Sequence, residues 1–202
     1  IFNALTGSDQ HIGNWPGKTV ERKEGVWRHD GQEIQVVDLP GTYSLTAHSA
    51  EEAVARDFLL DYKPAVVVAV VDASNIERNL YLVLQILELD ANVVVVLNIS
   101  DEAAGSGTTI EAEELSRGLG GIPVVPTVAS RGRGLDRLRQ AILEAAEHPR
   151  RSNLRVDYGG PIDAACGALE TAVTQHASLS TLFPPRRLAL HLLEGEGDLI
   201  RR

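Results

Sequence analysis

The fold is decided by the stretch AVVVAVVDASN, residues 65–75. It is a near-continuous run of valine and alanine that ends in polar residues, and such a run is typical of a strand covered on both faces of a sheet. A second run of this kind, NVVVVL at residues 92–97, follows a segment with apolar residues at helical spacing between Asn75 and Leu89. Strands that alternate with helices predict a doubly wound, mostly parallel α/β sheet.

The segment before this core predicts a short helix and a hairpin. Residues 1–6 are expected to form a helix, followed by a polar, glycine-rich loop through Gly17. Strands are predicted at 19–28 and 33–38. The Asp30-Gly31 pair between them is a strong signal for a two-residue hairpin, so one edge strand of the sheet is expected to be antiparallel.

The remaining segments predict further helices and one more strand. Ser49 and Glu52 form a capping box for a helix that continues through Tyr62. The other predicted elements are a helix at 110–119, a strand at 123–128, a helix at 135–147, and two helices at 162–176 and 186–193. Strand signals end near residue 148, so we predict an α/β domain at 1–148 and a small all-helical appendage, itself incomplete, at 149–202.

The composition limits the classes of function. The formal net charge is −9, and an acidic chain repels phosphate backbones, which argues against nucleic acid as a partner. The single cysteine, Cys166, fits a reducing compartment and is interpreted as a buried helix contact. The six histidines show no metal-ligand spacing. The chain contains no methionine and opens in what reads as the middle of a helix, so we expect it to be a piece of a longer protein.

The first chemical motif is DLPG, residues 38–41. In nucleotide triphosphatases an acidic residue at a strand end holds Mg²⁺, usually through water, and a following glycine lets a backbone N–H approach the γ-phosphate. Asp38 and Gly41 are candidates for these two roles. Taken alone, the tetrapeptide is equally compatible with an ordinary turn at the end of a strand.

The second motif is NISD, residues 98–101. Guanine presents two adjacent donors, and the carboxylate of Asp101 has two acceptor oxygens that can take both. The amide of Asn98 can bond the N7/O6 side of the purine and tie neighbouring loops together. The alternative is an N-cap for a following helix. We favour base recognition because ligands bind beyond the carboxyl ends of such strands.

The third motif is ASRG, residues 129–132, where backbone N–H groups near Ala129 and Ser130 can reach guanine O6. It too could be a plain strand-to-helix turn. The three motifs nevertheless occur in the order found in GTPases, and each follows a predicted strand. The order therefore predicts a sheet of the P-loop GTPase type with a guanine-nucleotide site.

The fourth motif is GNWPGKT, residues 13–19. Gly17-Lys18-Thr19 is not the end of a Walker A loop, because Ile12 occupies the position that requires glycine and a strand follows instead of a helix. Thr19 is better interpreted as a switch threonine, whose hydroxyl and carbonyl reach Mg²⁺ and the γ-phosphate.

These residues resemble the cytosolic G domain of the ferrous iron transport protein B family. The resemblance extends to about residue 147, and the C-terminal tail is similar, less specifically, to the helical domain that follows the G domain and is associated with slow release of GDP. The matching segments are GNWPG (13–17), TVERK (19–23), DLPGTYS (38–44), VDASN (71–75), ERNLYL (77–82) and RLALHLLEG (187–195). The family also carries an apolar residue where other GTPases have the lysine of Asn-Lys-x-Asp, so Ile99 is compatible with it.

The resemblance implies a set of ligands and residue roles. GTP or GDP would bind with Mg²⁺, with Thr19 and Gly41 in catalytic roles and Thr19 and Asp38 as Mg²⁺ ligands. Some members are stimulated by K⁺, which would place backbone ligands near Trp15, Pro16 and Gly17. In the family a Gly-x-x-x-x-Gly-Lys-Ser/Thr loop precedes the opening helix. Its absence from this sequence implies weak nucleotide binding by this chain.

The resemblance also implies partners, and two alternatives stay open beside it. The intact parent would hydrolyse GTP at the cytoplasmic face of a bacterial inner membrane, joined to a C-terminal iron-transport domain, and the family allows a homo-oligomer. One alternative is a soluble GTPase of ribosome or tRNA maturation. The other is a nucleotide-free interaction module without catalysis.

Overall fold

The chain folds as an α/β protein with a C-terminal pair of helices. The computed structural model describes residues 1–7, 10–46, 48–98, 110–176 and 184–195. The strands are β1 Gln10–Asn14, β2 Glu21–His29, β3 Gln32–Asp38, β4 Val67–Asp72, β5 Val93–Asn98 and β6 Val124–Thr127. The helices are α1 Phe2–Thr6, α2 Ala50–Tyr62, α3 Ile76–Glu88, α4 Ala112–Gly118, α5 Leu135–Glu147, α6 Gly160–Gln175 and α7 Pro185–Glu194.

The predicted parallel core is confirmed. Strands β4, β5 and β6 form a parallel sheet with β5 in the centre. Alternate residues of β5 supply different packing layers, as the two-residue period of a strand requires. Val93, Val95 and Leu97 pack in a layer with residues of α2 and α3, and Val94 and Val96 pack in a layer with residues of α5. The sheet therefore has helices on both faces.

The predicted hairpin is also confirmed. Strands β2 and β3 pair antiparallel, and the turn residues Asp30 and Gly31 have φ angles of 46° and 79°. Two positive φ angles give a two-residue turn the twist that matches the right-handed twist of the strands it joins. The capping box of α2 is present as well, because the Ser49 side chain accepts from Glu52 N and the Glu52 carboxylate accepts from Ser49 N.

The glycine-rich loop predicted through Gly17 is partly wrong, because β1 occupies Gln10–Asn14. This strand pairs antiparallel with residues 21–25 of β2. All five of its residues are exposed, so backbone hydrogen bonds hold it in place and no apolar layer does. A strand without a buried face has no hydrophobic alternation, and the sequence pattern therefore gave no signal for it.

The position of the hairpin also differs from the expectation. Within the described residues, β1, β2 and β3 form a sheet of their own instead of an edge of the parallel sheet. The two sheets are joined through side chains, because Trp27, Ile34 and Val36 pack in one apolar layer with Val94 and Val96.

The C-terminal helices α6 and α7 pack against each other around small side chains. Cys166, Ala189 and Leu190 are buried between them, and Leu169 packs against this group. Burial raises the pKa of the Cys166 thiol. The interpretation of Cys166 as a buried helix contact is confirmed.

The helix pair meets the rest of the protein at the end of α3. The Glu88 carboxylate accepts from the Tyr158 hydroxyl at 2.5 Å and lies 3.5 Å from the Arg187 guanidinium. Arg187 is 1% exposed, and its Nε and Nη2 atoms have no hydrogen-bond partner among the described residues. Burial, followed by the contact with Glu88, raises the pKa of Tyr158. A buried charge of this kind depends on its partner carboxylate.

The buried His191 of α7 predicts that the folded chain loses stability in acid. Burial, together with the nearby charges of Arg187 and Arg56, lowers the pKa of His191 to about 3, from 6.5 in the free side chain. Above pH 6.5 the imidazole is neutral in both the folded and the unfolded chain. Below that pH the His191 imidazole takes up a proton in the unfolded chain and stays neutral in the folded chain. We expect the loss of folding free energy to reach at most about 2 kcal/mol by pH 5, because the Glu194 carboxylate, 3.4 Å from His191 Nδ1, favours the protonated imidazole.

Urea unfolding between pH 7 and pH 5 measures this effect. His191→Gln should flatten the dependence of the unfolding free energy on pH, because the titrating group is gone. The matched control is His148→Gln, at an exposed position, which should keep the wild-type slope. Equal slopes in His191→Gln and wild type would contradict the prediction.

Candidate nucleotide site

Polar residues end all three parallel strands at the same edge of the sheet. In the strand register Asp72 lies opposite Asn98, and Asn98 lies opposite Thr127. The carboxyl ends of parallel strands in a doubly wound sheet are where such folds bind ligands. The second motif therefore begins at this edge, and the third begins two residues beyond Thr127.

The Asn98 side chain joins these two motifs directly. Its Oδ1 accepts a hydrogen bond from Ala129 N at 3.2 Å and is 3.4 Å from the Thr127 hydroxyl. The end of β5 is thereby tied to the loop after β6, as expected for an amide that links neighbouring loops. The base-recognition candidate Asp101 lies outside the described residues, as do Ile99 and Ser100.

The loop after β6 is compact. Residues Ala129–Arg131 form a 3₁₀ turn, and Val128 pairs with Arg133 in an isolated β-bridge. Ser130 is exposed on this turn. Two glycines, Gly132 and Gly134, adopt positive φ angles of 68° and 81° and let the chain turn directly into α5. Ala129 and Ser130 are therefore presented at the carboxyl edge by a short loop.

Asp38 and Gly41 lie at the end of the hairpin sheet. Asp38 closes β3 opposite Lys23 and is exposed, and so is Gly41. The pKa of Lys23 is raised, mainly by its hydrogen bond to Glu21 and to a smaller extent by the charge of Asp38. A Cβ added at Gly41 would have no neighbour within 4 Å, so this stretch of backbone is open to an approaching group.

The loop from Trp15 to Thr19 is fixed by a buried indole. The Trp15 ring packs edge-on against Phe58 of α2, with 5.5 Å between ring centroids, and Arg22 lies 4.7 Å over its face. The Trp15 carbonyl accepts from Lys18 N at 3.0 Å, which makes the turn tight. The indole is thus a core anchor, whereas Pro16, Gly17 and Thr19 are exposed.

Thr19 and Asp38 are brought to the same end of the hairpin sheet. Thr19 lies two residues before β2 begins, and Asp38 is the last residue of the antiparallel neighbour β3. Their oxygens are the hard donors that Mg²⁺ prefers. Among the described residues, histidine, cysteine, aspartate and glutamate nowhere gather in threes as a metal cage would require.

Helix α3 holds the loop that follows Asp38, a feature that the sequence analysis missed. The Gln85 side chain accepts a hydrogen bond from Leu45 N at 2.8 Å, and the Arg78 guanidinium lies 3.6 Å over the ring of Tyr43. Gln85 is the one polar residue in the apolar run 82–87. A buried polar side chain usually has a hydrogen-bond partner, so this interruption was the available signal.

The fold and the polar residues at the carboxyl ends of its parallel strands together define a doubly wound α/β protein. The sequence model of the family described as ferrous iron transport protein B matches residues 1–142. The Fe(2+) transport protein A/Fe(2+) transporter FeoB fusion protein of Porphyromonas gingivalis W83 is 42% identical over 204 residues, which cover 100% of this chain and 24% of that protein.

The solved structures agree with the family match. The cytosolic domain of the T. maritima FeoB iron transporter in its apo form is 40% identical, with a TM-score of 0.89 over 99% of this chain and 77% of that one. Its GMPPNP form is 41% identical, with a TM-score of 0.88 over 96% of this chain and 75% of that one, and the same domain has been solved with GDP. This chain belongs to the ferrous iron transport protein B family. It spans about a quarter of the length of its curated relatives.

Helices within the described residues give no sign of a membrane span, since each of them is too short or too polar to cross a bilayer.

The two glycines of the loop after β6 offer a matched test of its packing. A Cβ at Gly134 would contact Pro126 O and lie 3.2 Å from Thr127 Cα, whereas one at Gly132 would meet nothing within 4 Å. Both positions carry the cost of a positive φ. We expect Gly132→Ala to lower the unfolding free energy by about 1 kcal/mol, and Gly134→Ala to lower it by about 3 kcal/mol because overpacking is added.

Chemical denaturation of the two variants and wild type measures this difference. Equal losses of stability at the two positions would contradict the close backbone contact assigned to Gly134.

Proposed function

We propose that this chain is the guanine-nucleotide-binding part of a bacterial Fe²⁺ transporter, and that the intact parent protein hydrolyses GTP. The observation that carries the proposal is the 3.2 Å hydrogen bond from Ala129 N to Asn98 Oδ1. It joins two of the three nucleotide motifs at the carboxyl edge of the sheet. The GDP and GMPPNP forms of the T. maritima relative support the same ligand class.

At the base end, recognition depends on acceptors and donors that match the edge of guanine. Asp101 accepts from N1–H and the 2-amino group, which a carboxylate can do with its two oxygens. The Ser130 N–H of the Ala129–Ser130 turn is the donor that faces O6, because the Ala129 N–H donates to Asn98 Oδ1. Asn98 orients that turn through its contact with Ala129 N. Adenine carries an amino group in place of O6 and lacks the N1–H donor, so this set disfavours it.

At the phosphate end, Thr19, Asp38 and Gly41 take the roles that the family pattern assigns. Thr19 and Asp38 supply one hydroxyl and one carboxylate at the same end of the hairpin sheet. That donor set fits Mg²⁺, which keeps most of its waters and takes only one or two protein carboxylates beside substrate phosphates. When bound, Mg²⁺ neutralises charge on the phosphate oxygens. Gly41 leaves its backbone accessible to the γ-phosphate.

The exposed turn Trp15–Gly17 is the proposed source of K⁺ ligands. Its backbone is held by the buried Trp15 indole, while Pro16 and Gly17 remain exposed. Carbonyl oxygens on a turn fixed in this way are suitable ligands for a weakly hydrated cation. The Trp15 carbonyl itself accepts from Lys18 N, so the carbonyls of Pro16 and Gly17 are the freer ligands.

The domain division and the partners follow from the family. We assign residues 1–148 to the G domain and 149–202 to a helical domain that slows release of GDP. The remaining three quarters of the relatives' length would contain the membrane transport domain, with this part at the cytoplasmic face. Iron is then the cargo of that transport domain and not a ligand of the G domain or the helical domain.

Titration with a fluorescent GTP analogue in the presence of Mg²⁺ tests the proposal. The 202-residue chain is compared with a longer version in which the family's phosphate-binding segment precedes Ile1. We expect tight binding by the longer version alone, competed by GDP and not by ADP. Absence of binding by both versions would reject base recognition and favour an interaction module.

Substitutions at Asn98 test whether nucleotide binding needs its side-chain oxygen, which accepts from Ala129 N. In the longer version, Asn98→Ala should weaken GDP and GTP binding alike by about tenfold, since a positioning hydrogen bond is lost. Asn98→Asp keeps the acceptor oxygen for Ala129 N and should retain more of the affinity. Asp101→Ala should weaken both nucleotides at least as much. Wild-type affinity in either alanine variant would remove that residue from the site.

A further inference from the structure

Gln85 makes a buried hydrogen bond to the backbone of a distant loop. Its side-chain Oε1 accepts from Leu45 N at 2.8 Å, across 40 residues of sequence. Gln85 is 4% exposed and Leu45 is 1% exposed, so water does not compete for either group. A buried N–H that loses its acceptor carries a full desolvation cost. The contact therefore fixes this point of the loop strongly.

The other hydrogen bonds of the loop are local. The Thr42 hydroxyl donates to Ser44 O at 2.7 Å, and Thr46 N donates to the Ser44 hydroxyl at 3.0 Å. These bonds join residues two apart and fold the loop upon itself. Among the described residues, the bond to Gln85 is the one that ties the backbone of residues 41–46 to another element of the fold.

The orientation of the Gln85 carboxamide is itself determined. Its Nε2 lies 3.3 Å from the hydroxyl of Tyr81, one helical turn earlier on α3. An amide group has one acceptor end and one donor end. Because Leu45 N can only donate, the acceptor oxygen of Gln85 faces it, and the donor end then faces the Tyr81 hydroxyl, which can accept. The carboxamide on helix α3 is thus held at both ends.

The loop held in this way is the one that follows Asp38. Gly41, whose N–H is assigned to the γ-phosphate, lies four residues before Leu45. We propose that Gln85 is a positioning residue for GTP hydrolysis, which holds the Gly41–Thr46 loop in place through its hydrogen bond to Leu45 N. This inference rests on the function proposed above, since it needs a γ-phosphate for the loop to meet.

If Gln85 positions this loop, its loss should slow GTP hydrolysis and leave GDP affinity nearly unchanged. The base end of the site lies on β5 and β6 and does not use this loop. Loss of the Gln85 oxygen should therefore leave GDP affinity within about twofold of wild type. It should lower kcat for GTP hydrolysis by about tenfold, the amount of one buried hydrogen bond.

Three variants test the inference in the 202-residue chain by hydrogen exchange at single amides. Gln85→Met has a similar volume and no acceptor, and it should speed exchange of the Leu45 amide by about tenfold. Tyr81→Phe removes the other partner and should leave Leu45 protected. Gln85→Glu keeps an acceptor oxygen and should restore protection. The Val95 amide, which donates to Pro123 O at 2.9 Å in the central sheet, reports global unfolding.

The same variants in the intact parent are then assayed for GTP hydrolysis and GDP affinity. If the Leu45 amide exchanges at the wild-type rate in Gln85→Met, the proposed role of Gln85 in holding the loop is overturned, whatever the nucleotide assays give. Faster exchange with an unchanged kcat overturns the positioning role and leaves the proposed function standing. If wild-type parent neither binds nor hydrolyses GTP, the proposed function fails and the positioning role fails with it. Faster exchange with a lower kcat and retained GDP affinity supports the inference.

Discussion

The central strand β5 has hydrogen-bonded neighbours on both sides and helices over both faces, and the rest of the structure depends on this burial. Residues Val93–Leu97 are fully buried. The polar residues at its ends set its register, because a shift would draw Asn98 into an apolar layer and break the bonds that Asn92 Nδ2 donates to Ala65 O and Ala145 O. That fixed register places Asn98 opposite Asp72 and Thr127. The geometry of the candidate site is therefore a consequence of the core.

Helix α3 connects this core to three separate parts of the molecule. Near its start, the Asn79 side chain accepts from Asp72 N at 3.3 Å, at the carboxyl end of β4. Further along, Gln85 accepts from the Leu45 backbone. At its end, Glu88 contacts Arg187 of α7 and accepts from the hydroxyl of Tyr158, which lies just before α6. A single rigid helix thus touches the strand edge, the loop after β3 and the helical appendage.

Sequence patterns predicted the elements whose residues are buried periodically. The valine runs of β4 and β5, the Asp30-Gly31 turn and the capping box of α2 each have a local cause, and each is present. Strand β1 has no buried face, so its pairing depends on backbone geometry that the sequence does not display.

The residues of the candidate site also fall into two groups: those with a local signal in the sequence and those whose role depends on tertiary contacts. Asn98 and Ala129 were predicted as candidates because each lies at or just beyond the end of a strand. Gln85 was missed because its role depends on a partner 40 residues away. Hydrophobic periodicity reports which face of α3 is buried, and it cannot report what a polar side chain on that face contacts. Tertiary contacts between polar groups are the part of the site that required the structure.

The two ends of the site differ in how firmly they are held. At the base end, Asn98 ends a fully buried strand, and Gly134 turns tightly against the backbone of β6. At the proposed phosphate end, Trp15 and Leu45 are buried, Lys18 and Tyr43 make further contacts to Asp57 and Arg78, and the loops are exposed around Thr19 and Gly41.

Segments held by few buried contacts open locally at much lower cost than the whole domain unfolds. Under the proposed function, a rigid base end keeps the nucleotide in one register, while the less buried loops can change position with the phosphate. The contrast follows from burial: the strand proposed to carry base recognition lies in the core, whereas the loops proposed to meet the γ-phosphate are held by fewer buried residues.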